Sequence, residues 1–313
     1  MDETPERPAT IRHYRRLANE IIEKHFGTPP RRIVYRRSGR TNYVFAVNHV
    51  EGQFIVRISP ELDRIDAFKK ELWASQKVRE AGVPSTEVLI VEQDEDSEPY
   101  MITRRVTGSE ATHHPQRERI IHQMGHYARL INSIPTKGFG GHFDWAHEGF
   151  RCRTWVDYLD DEWELERRLL VFTAHKILSQ GAVTKLRRIV DDTRTLGFQP
   201  FLNHGDLRLK NTMVDDDGEI AAIIDWEDCL STLAPQFELA ISLHDLSIDE
   251  KHVFIDGYGI DSEAVVPMAP LIRALNIINY SDAIERAAEV RDHKSMAQFK
   301  LRLNAGLDLY SLC

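Results

Sequence analysis

The stretch from Asn203 to Glu227, NHGDLRLKNTMVDDDGEIAAIIDWE, constrains this chain more than any other. Thr212 to Val214 reads as a short strand, and Ile220 to Ile224 as an apolar one. The cluster Asp215-Asp216-Asp217-Gly218 between them is a turn, with glycine supplying the positive φ that a tight turn needs. Folding the chain back about Gly218 puts Asn211 and Asp225 at the same end of one hairpin. An amide oxygen beside a carboxylate is a hard-oxygen pair, suited to Mg²⁺ carrying a nucleotide phosphate. Asp206 lies five residues before Asn211, close enough along the chain to take a proton from a substrate hydroxyl. Together these residues are equipment for phosphoryl transfer.

His204-Gly205-Asp206, then Asn211, then an apolar strand ending in Ile224-Asp225-Trp226, resembles the aminoglycoside phosphotransferase and choline kinase-like family. Protein kinases are its relatives, with His-Arg-Asp and Asp-Phe-Gly at the matching places. Gly205 for that Arg and Trp226 for that Phe favour the small-molecule branch, as does the lack of an Ala-Pro-Glu segment after Asp225. The resemblance implies an α+β, two-lobed, protein-kinase-like fold, with a small five-stranded antiparallel amino-terminal lobe and a larger, mainly helical carboxy-terminal lobe. It places a nucleotide-binding lobe over residues 1–106 and a catalytic and acceptor-binding lobe over residues 107–313. It implies ATP, with GTP possible, and Mg²⁺ held by Asn211 and Asp225. Asp206 becomes the base and Arg208 a cation near the transferred phosphate. His204 orders the loop by hydrogen bonds. Pro235-Gln236-Phe237-Glu238-Leu239-Ala240 is similar to the family's Pro-x-x-Asp-Leu-Ala, so Glu238 would brace the loop, with a longer side chain than the usual Asp.

The rest of the chain reads consistently. Ile11, Tyr14, Leu17, Ala18, Ile21, Ile22 and Phe26 recur at helical spacing up to Gly27. Arg32 to Arg37, Tyr43 to Asn48, Gln53 to Ile58, Val88 to Glu92 and Tyr100 to Val106 are five strands by composition and alternation. A helix over Asp63 to Ala81 interrupts them after the third and stops at Gly82. Thr107-Gly108 ends the hinge. Beyond it the pattern is helical over Arg119–Ser133, Trp155–Gln180, Thr184–Leu196, Phe237–His244, Glu250–Tyr258 and much of Val265–Ser311.

On the nucleotide side, the turn Ser38-Gly39-Arg40-Thr41-Asn42 is similar to the family's loop over the phosphates, which makes Gly39, Thr41 and Asn42 candidate contacts. Arg57 stands at the end of a strand where kinases carry the phosphate-binding Lys, and Glu71 on the next helix is its candidate partner. An Arg keeps the charge and binds phosphate oxygens with a planar fork. The segment around Thr103, Arg104 and Arg105 resembles the hinge, whose backbone bonds the adenine.

A formal charge of −9 argues against a nucleic-acid partner and is compatible with a cationic acceptor. Cys152, Cys229 and Cys313 are too far apart for a metal motif or a disulfide framework, which fits a reducing compartment and a cytoplasmic location. No signal-peptide core or membrane-length apolar run is visible. A monomer or homodimer is expected. The histidines show no metalloprotease spacing and read as structural. Asp157, Asp160, Asp161, Glu162, Glu164 and Glu166 could receive a cationic substrate, though a solvated helix face is the stronger reading. Glu227 faces a second metal or the acceptor, or is simply solvated. The favoured activity is ATP-dependent phosphorylation of an aminoglycoside or amino-sugar hydroxyl. Choline- or homoserine-type alcohols, and a nucleotide-binding pseudokinase without turnover, are the alternatives.

Overall fold

Helix α1 (Pro8–Phe26) turns Tyr14, Ala18, Ile21 and Ile22 to one buried face and ends at Gly27, whose φ of 72° suits the residue after a helix. That face packs on an antiparallel sheet of β1 (Arg32–Arg36), β2 (Tyr43–His49), β3 (Gly52–Ile58), β4 (Val88–Glu92) and β5 (Tyr100–Arg104), in the order β1-β2-β3-β5-β4. The alternation of β3 explains why the sheet is covered on both faces. Phe54, Val56 and Ile58 join the core under α1, so Arg57 projects to the opposite side, toward α2 (Ile65–Glu80). The structure, a computed structural model, describes residues 8–37, 42–95 and 97–309.

After β5 the chain forms β6 (Ser109–Glu110), α3 (Arg117–Ile131), β7 (Phe139–Asp144) and β8 (Gly149–Cys152). It continues through α4 (Trp155–Asp157), α5 (Leu165–Ala174), α6 (Gln180–Asp191) and β9 (Phe201–Asn203). The hairpin strands β10 (Thr212–Val214) and β11 (Ile220–Ile223) and the strand β12 (Leu230–Thr232) follow. Five helices complete the chain: α7 (Gln236–Ser242), α8 (Ile248–Tyr258), α9 (Ser262–Ile278), α10 (Ser281–Glu289) and α11 (His293–Leu309).

The chain separates into two compact units. The first comprises residues 1–117 together with 209–227, and the second residues 118–208 with 228–313. In the first unit, β6 and the hairpin form a small sheet of order β11-β10-β6. It is tied to the chain entering β4, because Ile223 N donates to Pro84 O at 2.8 Å. Gly108 lets the connector before β6 approach β10: its φ is 125°, and a Cβ there would stand 2.2 Å from Val214 O. The second unit is mainly helical, with a sheet of order β8-β7-β12-β9. Among the described residues no helix is long and apolar enough to cross a membrane.

Two expectations from the sequence need correction. The helix expected over Trp155–Gln180 is broken: α4 runs into a π-helical turn over Tyr158–Glu162, Glu164 takes a left-handed conformation with φ 51°, and α5 starts afresh. Tertiary bonding overrides helix propensity here. The buried Glu162 carboxylate turns inward to accept the backbone N–H groups of Gly141 and His142 on β7. The next helix, α6, begins at Gln180 behind the Ser179 N-cap and ends at Asp191, not Leu196.

Candidate active site

In the first unit the site begins with Arg57 on β3. Its cross-strand neighbours are Val44 and Met101. The guanidinium pairs with Glu71 on α2 and lies 5.4 Å from the centroid of the Phe68 ring, one helical turn earlier. It also reaches Asp225 Oδ1 at 3.6 Å. Both members of the Arg57–Glu71 pair are largely buried, with side chains 14% and 7% exposed. Burial alone would lower the Arg57 pKa, but Glu71, Asp225 and Glu227 together outweigh it and hold the guanidinium firmly charged. Burial pushes the Glu71 carboxyl up while Arg57 pulls it back.

The hairpin delivers Asp225 to this cation. Asp215 Oδ1 accepts the N–H groups of Asp217 (3.0 Å) and Glu219 (2.8 Å), and Gly218 turns the chain at φ 77°. Thr212 pairs with Ile223, and Ile224 N donates to Asn211 O at 2.9 Å, so Asn211 and Asp225 lie at the open end of one hairpin. Asp225 itself is left-handed, φ 69°, a conformation that Asp tolerates better than most residues. Trp226, 1% exposed, fixes the chain beyond it by donating from Nε1 to Ile223 O at 3.0 Å. Glu227 accepts from Arg64 at 2.7 Å; Arg64 closes the 3₁₀ turn before α2.

The donor set suits a divalent hard cation. Asn211 and Asp225 offer amide and carboxylate oxygens, and the Asp225 side chain remains 38% exposed whereas that of Glu71 is 7% exposed. Among the described residues no group of three His, Cys, Asp or Glu is arranged to hold a metal ion. Arg57 Nε, Arg64 Nε and Asn42 Oδ1 are buried without a hydrogen-bond partner among the described residues. Two of these are donors that an anionic ligand would satisfy. Asn42 lies immediately before β2, two residues before Val44, the cross-strand neighbour of Arg57. Gly39 and Thr41 lie outside the described residues. At the hinge, Thr103 is buried in β5, while the amides of Arg104 and Arg105 donate to Glu87 O and Gln53 O, both at 2.9 Å.

In the second unit the loop around Asp206 is built on backbone bonding. Glu238, fully buried on α7, accepts from His204 N at 2.6 Å and from Ser242 Oγ at 3.0 Å. The longer side chain thus still meets the loop. Burial raises its carboxyl to about 7, against the pull of the bonds from His204, Ser242 and Gly205. His204 Nδ1 accepts Asp206 N at 3.2 Å, a bond that only an unprotonated Nδ1 can make. Gly205 has φ 79°, and a Cβ there would stand 2.2 Å from Asp228 O, which is why no larger residue fits between His204 and Asp206. Arg208 Nε donates to Asp206 Oδ1 at 2.5 Å and its NH1 lies 3.4 Å from Asp245 Oδ2. The structure therefore pairs Arg208 with the expected base itself.

The acidic stretch of the second unit, apart from the exposed Asp161, is engaged internally. Arg194 holds Asp160 at 2.7 and 2.9 Å, and Arg187 holds Glu166 at 2.7 Å. Glu164 pairs with Arg167 at 2.7 Å, and Asp157 completes a capping box with Thr154. Glu162 is bound to β7. The structural contacts that sequence reasoning missed are those of Arg64 and Asp245. Neither belongs to a local motif, and each meets its partner only through the fold.

Within the first unit a strand cation is paired to a helix glutamate and a hairpin carboxylate, and within the second a His-Gly-Asp loop is braced from a helix. Residues 32–272 match the phosphotransferase enzyme family, and the chain belongs to it. Solved structures agree on the fold. Aminoglycoside phosphotransferase APH(4)-Ia is 17% identical, with TM-score 0.70, covering 93% of this chain and 97% of that one. Aminoglycoside 2′-phosphotransferase-IIIa, in its GDP complex, is 14% identical with TM-score 0.65, covering 93% of this chain and 98% of that one. A thermostable mutant of APH(4)-Ia was crystallised with AMP-PNP and hygromycin B; it is 18% identical with TM-score 0.67, covering 93% and 97% of the two chains. A search of curated proteins by sequence found no match. The α+β, protein-kinase-like fold expected from the sequence, with its five-stranded antiparallel sheet and mainly helical remainder, is the fold observed.

Proposed function

We propose that the chain transfers the γ-phosphoryl group of ATP, or of GTP, to a hydroxyl of a small molecule. The observation that carries this reading is the convergence of Glu71 and Asp225 on Arg57 within the first unit. A buried cation with an unsatisfied Nε–H, next to a partly exposed carboxylate, is a receptor for a phosphate and its counter-ion. Asn211 and Asp225 would hold Mg²⁺, which neutralises charge on phosphate oxygens when bound. Arg57 binds the phosphates, and Glu71 fixes its rotamer. Gly39, Thr41 and Asn42 belong to the loop over the phosphates, and Thr103 to Arg105 to the base-binding segment. Asp206 accepts the hydroxyl proton as the acceptor oxygen bonds to phosphorus and the bond to the departing nucleoside diphosphate breaks. Arg208 positions the Asp206 carboxylate. Residues 1–106 form the nucleotide lobe and 107–313 the acceptor lobe in this reading, which places the enzyme in the cytoplasm.

Calorimetry of ATP with Mg²⁺ tests the nucleotide half: binding is expected in the native chain and strong weakening in Asp225→Ala. Slow ATP hydrolysis that vanishes in Asp206→Asn tests the catalytic half. ATP binding with no turnover under any acceptor would instead make the protein a nucleotide-binding module.

A further inference from the structure

The second unit contains a cavity of about 290 Å³, at the lower end of the range typical of small-molecule sites. Leu239, Leu243, Ala269, Ile272, Ile277 and Leu303 give it an apolar wall. Three cationic side chains, Lys251, Arg273 and Arg302, complete it, and no carboxylate is among its described lining residues. Ion pairs link the rim of the cavity to the loop that carries Asp206. Arg302 donates to His244 O at 3.1 Å and lies 3.7 Å from Asp245 Oδ1. Asp245 Oδ2 is 3.4 Å from Arg208, which holds Asp206. A continuous row, Asp206–Arg208–Asp245–Arg302, thus leads from the base to the cavity rim.

The polarity of this space opposes a polycation. On the cavity wall, burial, and next Arg302, lower the His244 imidazole to about 4 against the pull of Asp245. Five of the six acidic side chains that could have received an amino sugar, all but Asp161, are committed to Arg194, Arg187, Arg167, the Thr154 cap and β7. Apolar walls with cations among them match the opposite kind of molecule.

We propose that this cavity is the acceptor subsite, and that it takes a hydroxylated amphiphile with an aliphatic or aromatic body and one anionic group, about the size of a medium-chain hydroxycarboxylate. The assignment rests on the phosphotransferase reading for its role in catalysis, but not for the binding itself. The apolar body fills the space between α7, α9 and α11, and the anionic group pairs with Arg302 at the rim.

The test is a binding experiment on the full chain without nucleotide. Anilinonaphthalene sulfonate, an apolar anion whose fluorescence rises in a dry site, is titrated in and then displaced with ω-hydroxydecanoate or kanamycin. The sulfonate should bind, ω-hydroxydecanoate should displace it, and kanamycin should not. Ala269→Phe, which fills the cavity, should abolish binding. Arg302→Glu, at a side chain 52% exposed and therefore tolerant of change, should weaken it by about tenfold or more while Mg·ATP affinity stays unchanged. The proposal is overturned if the native chain binds no sulfonate, if kanamycin displaces it as well as the carboxylate does, or if both folded variants bind like the native chain. Mg·ATP calorimetry separates the two readings. ATP binding with phosphorylation of kanamycin and no amphiphile binding removes this proposal alone. Amphiphile binding without ATP binding removes the nucleotide reading and leaves the chemistry of the cavity standing.

Discussion

Replacing Glu238 with Gln should change how stability depends on pH more than it changes stability at any one pH. Glu238 is fully buried, and burial lifts its carboxyl from an ordinary 4.5 to about 7. Between those values the unfolded chain carries the ionised form and the folded chain the protonated one, so the folded state binds the extra proton. Stability from this group is therefore complete below about pH 4.5 and is lost as pH rises through about 7. A shift of this size corresponds to about 3 kcal/mol at 1.36 kcal/mol per pKa unit. Gln keeps one acceptor for His204 N and can donate its amide to Ser242 Oγ, and it does not titrate. Urea unfolding of both proteins at pH 5 and pH 8 gives the comparison, and titrations common to both cancel in the difference. The variant should gain about 3 kcal/mol relative to the native chain between the two pH values. Parallel stability profiles would refute the argument, because Glu238 would then ionise in the fold as it does in water.

Three further outcomes are expected. Arg57→Ala leaves Glu71 buried without its cation and should cost about 3–5 kcal/mol in urea unfolding, whereas the double variant Arg57→Met with Glu71→Leu should recover much of that stability but no nucleotide affinity in calorimetry. Gly205→Ala places a Cβ 2.2 Å from Asp228 O at φ 79° and should lower stability by about 2 kcal/mol or more, read as a fall in melting temperature together with lost ATP turnover. Arg208→Ala removes the guanidinium from Asp206 Oδ1; kcat with a working acceptor should fall while Mg·ATP affinity, measured by calorimetry, remains near native.

The parts of the fold set by local rules were legible in the chain. The period of Tyr14, Ala18, Ile21 and Ile22 marks α1, alternation marks β2 and β3, and Asp215 to Gly218 is a turn by its own chemistry. The pairing of Arg57 with Glu71 could be anticipated from the resemblance, because kinases pair a strand Lys at that position with a Glu on the next helix. The strand pairs β7–β8 and β12–β9 were not legible. Phe139-Gly140-Gly141-His142 has weak strand propensity, and β12 reaches β7 and β9 from distant segments. The break between Tyr158 and Glu164 was equally hidden, since only the position of β7 makes an inward-turned Glu162 favourable.

By itself the sequence determined the hairpin that carries Asn211 and Asp225 to one end, because the turn Asp215 to Gly218 and the strands on either side of it are set by local chemistry, and the resemblance of His204 to Asn211 marked the loop of Asp206. The tertiary structure decided what those groups touch. It put Arg208 beside Asp245, Arg64 on Glu227 and Asp245 beside Arg302, and it surrounded a cavity with apolar and cationic side chains drawn from α7, α8, α9 and α11. Those contacts join residues separated by tens of positions. Their existence depends on how helices stack, and helix stacking is fixed by packing of the whole unit and not by any short pattern of residues.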